Sequence, residues 1–166
     1  MPQLTSSLTG SFHLIVSLIA MLTGSMVLFM QKGTKRHRQI GYIYVIAMLL
    51  VNLSAFMIYR LFGGFGIFHF FAIISLLTLF SGMYPILTRK SENYLLTHFN
   101  YMYWSVVGLY CAFCADVLTR LPPYFAIKNS WTLFSFLTGI SIMIVVLTAN
   151  VLMKKYKPVW RNQLRQ

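Results

Sequence analysis

Five uninterrupted apolar segments, Phe12 to Met30, Ile40 to Phe62, Ile67 to Leu87, Phe99 to Leu118 and Trp131 to Met153, fill most of this 166-residue chain. Each is 19 to 23 residues long, and about 20 mostly apolar residues are needed for a helix to cross a hydrocarbon core of about 30 Å. In lipid every backbone N–H and C=O must be satisfied by protein, which leaves helices or a closed barrel, and barrel strands are only about ten residues long and alternate in polarity. The segments are therefore expected as helices, and the fold class is all-α: a polytopic membrane protein with five transmembrane helices. Charged residues are 10% of the chain and apolar ones 58%, against roughly a quarter charged in a soluble domain, so a water-soluble globule is excluded. Residues 1–166 read as one integral membrane domain.

The 14 Lys and Arg against 2 Asp and Glu do not point to nucleic acid, because they cluster in the gaps between apolar runs instead of covering a water-exposed face. Lys32, Lys35, Arg36 and Arg38 follow segment 1, Arg89 and Lys90 follow segment 3, and Lys154, Lys155, Lys157, Arg161 and Arg165 follow segment 5. Only Arg60, Arg120 and Lys128 fall in the gaps of the other side. The positive-inside bias then places the N-terminus outside and the C-terminus in the cytoplasm, as expected in a bacterial inner (plasma) membrane. Met1 to Ser11 carry no Lys or Arg, so segment 1 is expected to be retained, not cleaved as a signal peptide. Trp131 and Trp160 stand where interfacial anchors are expected. Gly63-Gly64-Phe65-Gly66 and Leu121-Pro122-Pro123 read as breaks.

A weak internal repeat runs through this pattern. Phe12-His13 opens segment 1, Gly24-Ser25-Met26 lies near its middle, and the basic loop ends in His37 before Tyr42 and Tyr44. Phe68-His69 opens segment 3, Ser81-Gly82-Met83 follows, and the next loop ends in His98 before Tyr101 and Tyr103. Units 12–62 and 68–118 are thus parallel-repeated helical hairpins forming a four-helix core, related by an axis along the membrane normal, with the fifth helix added.

All four histidines consequently fall at helix ends, His13 and His69 outside, His37 and His98 inside. An interfacial histidine can simply tolerate the headgroup region. Paired neutral imidazoles on alternate helices are also holders of haem iron or a transition metal, which pairs His13 with His69 and His37 with His98. This arrangement resembles the two-haem transmembrane cytochromes b, a resemblance that covers residues 12–118 and implies haem b and transmembrane electron transfer. Helix 1 puts the two layers about 25 Å apart at 1.5 Å per residue, long for direct electron transfer. A haem at the inner pair also needs helices 2 and 4 to begin a turn before their apolar runs.

In sequence texture the chain is similar to a family of small bacterial multi-pass membrane proteins of unknown function, the domain of unknown function 2306. The likeness is carried by His13, Gly24, Lys32-Gly33 through His37-Arg38-Gln39-Ile40-Gly41-Tyr42, His69, His98 and Arg120-Leu121-Pro122. It implies a membrane location and fold, and no activity.

Asp116, four residues before Arg120, reads either as half of a helical ion pair or as a third metal ligand beside His13 and His69. Glu92 reads as a solvated charge. Cys111 and Cys114 share a helix face and pack as small apolar residues, the alternative being a soft copper or zinc site with His13 and His69. Phe99, Tyr101, Tyr103 and Trp104, with Tyr42 and Tyr44, are interfacial aromatics that can also line a flat-ring pocket for haem or a quinone. Lys35, Arg36 and Arg38 are suited to anionic lipid headgroups, and Gly24, Gly82 and Gly108 to close helix packing. Motifs for nucleotide hydrolysis, serine hydrolysis, zincin proteolysis and c-type haem attachment are lacking, and two acids supply little for a carboxylate relay. The leading expectation is a protein that binds haem or a metal (copper, zinc or iron) through His13 and His69, with Asp116, and through His37 and His98, and that exchanges electrons with a quinone or redox partner. The alternative is a non-catalytic membrane subunit or small-molecule permease.

Overall fold

The computed structural model describes residues 8–58, 65–120 and 130–163, and these form five helices: α1 (Leu8–Phe29), α2 (Lys35–Ala55), α3 (Ile67–Thr88), α4 (Tyr94–Arg120) and α5 (Ser130–Gln163). All five are long and apolar enough to cross a membrane. No strand occurs among the described residues. The protein is an all-α polytopic membrane protein, as its apolar segments require.

The boundaries differ from hydropathy most where charge intrudes. α2 begins at Lys35 and not Ile40, and α4 at Tyr94 and not Phe99. Hydropathy stops at the last apolar residue, but a helix starts where its first turn is capped: Thr34 Oγ1 accepts the His37 backbone N–H at 3.1 Å, the usual N-cap arrangement. Both His37 and His98 are therefore on helices. α2 also ends earlier than expected, at Ala55. α5 continues to Gln163, so its 34 residues rise about 51 Å and outrun the hydrocarbon. Gly63, Gly64 and Leu121-Pro122-Pro123 lie outside the described residues, as do Arg60, Lys128 and Arg165.

α1 packs along α2 and α3 along α4, the two hairpins meet through α2 with α3 and α1 with α4, and α5 lies along α4. Tyr44, Met48 and Leu79 fill the centre of the four-helix core, joined by Ala20, Met102 and Val106. Ile15, Leu22, Met26 and Phe29 recur on the outward face of α1 and stay exposed, as a lipid-facing stripe should. Close approach is set by Gly24, where an added Cβ would stand 2.8 Å from the Tyr44 ring, and by Gly82, beside Met102 and Tyr101. Gly108, expected to act likewise, has nothing within 4 Å of its Cβ position. It faces away from the helix contacts.

Two polar links cross the apolar centre. Tyr44 Oη and Ser105 Oγ are 2.8 Å apart across the diagonal from α2 to α4, and Ser25 Oγ and Tyr110 Oη are 2.6 Å apart between α1 and α4. Without water to compete, such hydroxyls have only each other or the backbone. A second cluster of Phe99, Tyr103, Val107, Ala149 and Trp160 fastens α5 to α4, with the Tyr103 hydroxyl donating to the Ala149 carbonyl at 2.6 Å. Trp160 is 7% exposed, so it packs inside the protein and does not serve as the lipid-facing anchor that its position suggested.

Candidate functional site

Tyr44 and Ser105 fix the relative height of α2 and α4, which run in the same direction. His37 and His98 each lie seven residues nearer the basic face, the face carrying the α1–α2 and α3–α4 connections, and have the same sequence separation of 61 as the hydroxyl pair. The two imidazoles therefore stand at one level, about 10 Å from the Tyr44–Ser105 link at 1.5 Å per residue. They are close enough to act on each other electrostatically, and Lys32 acts on His37 as well.

Hydrogen bonds determine which nitrogen of each ring holds the proton. His98 Nδ1 lies 2.7 Å from the Gly82 carbonyl of α3. A carbonyl only accepts, so Nδ1 carries the hydrogen and the neutral ring keeps its Nε2 lone pair. His37 Nδ1 is buried without a hydrogen-bond partner, a condition that costs about 1–3 kcal/mol. At the other end, His13 Nδ1 is 2.8 Å from Ser54 Oγ of α2. The Ser54 hydroxyl also reaches the carbonyls of Leu50 and Val51 in its own helix, so His13 ties the start of α1 to the end of α2.

His69 bonds within its own helix start. Its Nδ1 accepts the Gly66 backbone N–H at 3.0 Å, closing the first turn of α3, and Phe65 stacks on the ring at 4.8 Å. A neutral His69 in this geometry therefore bears its proton on Nε2, as a donor. His13 bonds to α2 and His69 to its own helix start, and α1 and α3 occupy opposite corners of the four-helix core.

Asp116, 18 residues after His98, occupies the same face of α4 five turns away. Among the described residues no group of three or more His, Cys, Asp or Glu side chains is gathered as a metal ion would need, and His13, His69 and Asp116 are all described residues. Cys111 and Cys114 are free thiols, half-buried, and Cys111 packs against the α4–α5 cluster. Glu92 is exposed, as its loop position suggested. Lys35, Arg36 and Arg38 are exposed on the first turn of α2.

Lys32 is the residue that its sequence hid. It reads as one more topology cation, yet it is 8% exposed. Its amine donates to the carbonyls of Val27 and Leu28 at 2.8 and 2.6 Å, closing the end of α1, and lies 5.4 Å from the Trp160 ring centroid. Burial lowers its pKa from 10.5 to about 8. Ser54 and Gly82 were likewise invisible as histidine partners, although the shared separation of 61 was available as a signal for the Tyr44–Ser105 pair.

Five membrane-length helices, with polar residues concentrated at the bundle's interior and ends, define a multi-pass integral membrane protein. Residues 10–153 match the family described as "Predicted membrane protein (DUF2306)", and the chain belongs to that family. No curated protein and no solved structure matches it, and a similarity to the two-haem cytochromes b is not shown.

Proposed function

We propose that His37 and His98 would hold haem iron at the basic face, and that the protein is a membrane electron carrier. The observation that carries this reading is the pairing of two imidazoles on facing helices at one level. One holds a free Nε2 lone pair by its bond to Gly82, and the other has a buried nitrogen without a partner. Haem bound there would supply one-electron exchange. The protein's own residues do the rest: His37 and His98 bind, and the Gly82 carbonyl orients His98. Copper, zinc or iron alone is the other occupant that such imidazoles accept.

A second centre at the far face would use His13 and would require His69 to release Gly66. Metal binding by His13, His69 and Asp116 would require those three groups to converge. The cap made by His69 favours the alternative, a non-catalytic subunit or permease with interfacial histidines. The basic face is taken as cytoplasmic on the positive-inside bias, in a bacterial inner membrane. There Lys35, Arg36 and Arg38 would meet anionic lipids and a quinone or redox partner would exchange electrons.

The test is haem content by pyridine haemochrome in protein purified from a haem-sufficient host. Stoichiometric haem in the wild type, lost in both His37→Ala and His98→Ala and kept in His69→Ala, is expected. Haem that survives both basic-face variants, or that never appears, overturns the reading.

A further inference from the structure

One face of α2 can be followed at helical spacing through His37, Gly41, Tyr44, Met48 and Asn52. Tyr44, Met48 and Asn52 are 1%, 1% and 2% exposed, so this stripe looks into the four-helix core. Gly41 belongs to the same stripe but is only half-buried, and among the described residues nothing lies within 4 Å of the position its Cβ would take. The reason lies on α4. By the shared separation of 61, the residue level with Gly41 is Met102, and Met102 turns toward α3, where its Sδ stands 2.8 Å from the Cβ position of Gly82. Side chains on a helix lean toward its N-terminus, so a side chain at position 41 would lie over the turn that carries His37. The open space is therefore between the histidine layer and the Tyr44–Ser105 link, a height of about 10 Å. Glycine weakens a helix relative to alanine and suits places where a backbone must come close to a ligand; at Gly24 and Gly82 the close neighbour is another helix, and at Gly41 it is not.

We propose that Gly41 makes room for a flat macrocycle held by His37 and His98, so that the site takes a planar ring in preference to a bare metal ion. The inference rests on the proposed ligand role of the two histidines and names the kind of ligand they hold. A bare ion needs only imidazole nitrogens at the right distance and is indifferent to the residue at position 41. A planar ring reaches well beyond its iron and must lie against the helices, where the first side-chain carbon at position 41 would meet it. The turn after His98 offers no such room, because Met102 there is 7% exposed and packed on Gly82. A larger residue at position 41 therefore changes the fit of the ring and leaves the packing of the helices alone.

The experiment is titration of the full-length protein, purified in detergent from a haem-deficient host, with hemin followed at the Soret band and separately with zinc followed by calorimetry. The variants are Gly41→Ala, Gly41→Leu and, as control, Gly108→Leu, at an exposed helical glycine that also has nothing within 4 Å of its Cβ position. Gly41→Leu is expected to weaken hemin binding about tenfold or more, as overpacking of a fitted surface does, with Gly41→Ala between it and the wild type. Whatever zinc the wild type binds is expected to be bound equally by the Gly41 variants, and their unfolding midpoints in SDS are expected not to fall. Gly108→Leu is expected to bind both probes as the wild type does. Hemin bound equally by wild type and Gly41→Leu, or zinc weakened as much as hemin, overturns the role of Gly41 alone. A Gly41→Leu protein less stable than the wild type also overturns it, since the protein itself would then fill the space. A wild type that binds no hemin overturns the electron-carrier reading, and the role of Gly41 with it.

Discussion

Replacing Gly24 by alanine tests how the four-helix core sets the level of its histidines. The new methyl would meet Tyr44 Cε2 at 2.8 Å, Tyr44 Cδ2 at 3.1 Å and Val106 Cγ2 at 3.1 Å. Tyr44 is 1% exposed and its hydroxyl is bonded to Ser105, so the ring cannot retreat without breaking the link that aligns α2 with α4. Overpacking of this kind costs about 1–3 kcal/mol, while alanine in place of glycine within a helix returns about 0.5–1 kcal/mol. The expected net loss is about 1 kcal/mol, in a range of about 0–2.5 kcal/mol. At Gly82 the nearest atom is the thioether sulfur of Met102, the end of a flexible side chain that can rotate aside, while Tyr101 Cβ at 3.2 Å gives only with the α4 backbone, so Gly82→Ala should cost less than Gly24→Ala but more than nothing. At Gly41 nothing lies within 4 Å, and Gly41→Ala should be neutral or stabilising. Equilibrium unfolding by SDS titration in mixed micelles, followed by tryptophan fluorescence, should rank the variants Gly41→Ala, Gly82→Ala, Gly24→Ala from most to least stable. A Gly24→Ala protein as stable as Gly41→Ala would refute the claim that Tyr44 is pinned.

Lys32 binds its proton more weakly in the folded protein than in the unfolded chain, so between pH 8 and 10.5 the unfolded state holds more protons and stability should rise with pH. Lys32→Met should flatten that rise in a pH series of unfolding measurements, and an unchanged slope would remove Lys32 as its source. His69→Ala removes the Gly66 cap and should cost about 1 kcal/mol, read as a lowered unfolding midpoint. A double-mutant cycle of Tyr44→Phe and Ser105→Ala should give a coupling of about 0.6 kcal/mol, the average for side-chain hydrogen bonds in membranes; zero coupling would mean that the hydroxyls are satisfied elsewhere.

The helices were legible because lipid imposes a single requirement on a chain: length and apolarity suffice to count crossings. Their ends were less so, since hydropathy ignores capping, and α2 and α4 begin inside what looked like basic loop. The level of His37 and His98 was within reach of the repeat spacing. Their hydrogen-bonding was not, because Gly82, Ser54 and Gly66 enter through backbone or hydroxyl groups that leave no mark in a residue pattern. His69 shows the limit most clearly. Its place in the repeat equates it with His13, yet it closes the start of its own helix while His13 reaches across to α2. Lys32 shows the reverse, a cation that the charge pattern assigns to the headgroups and that folding turns inward to close α1.

The most direct test of a haem-binding histidine pair is the reduced-minus-oxidised absorption spectrum of the detergent-purified protein, recorded with dithionite and accompanied by elemental analysis for iron, copper and zinc. A sharp Soret band with a resolved α band on reduction, and iron in proportion to protein, is the predicted result. A colourless protein free of metal, from a host making ample haem, would contradict it.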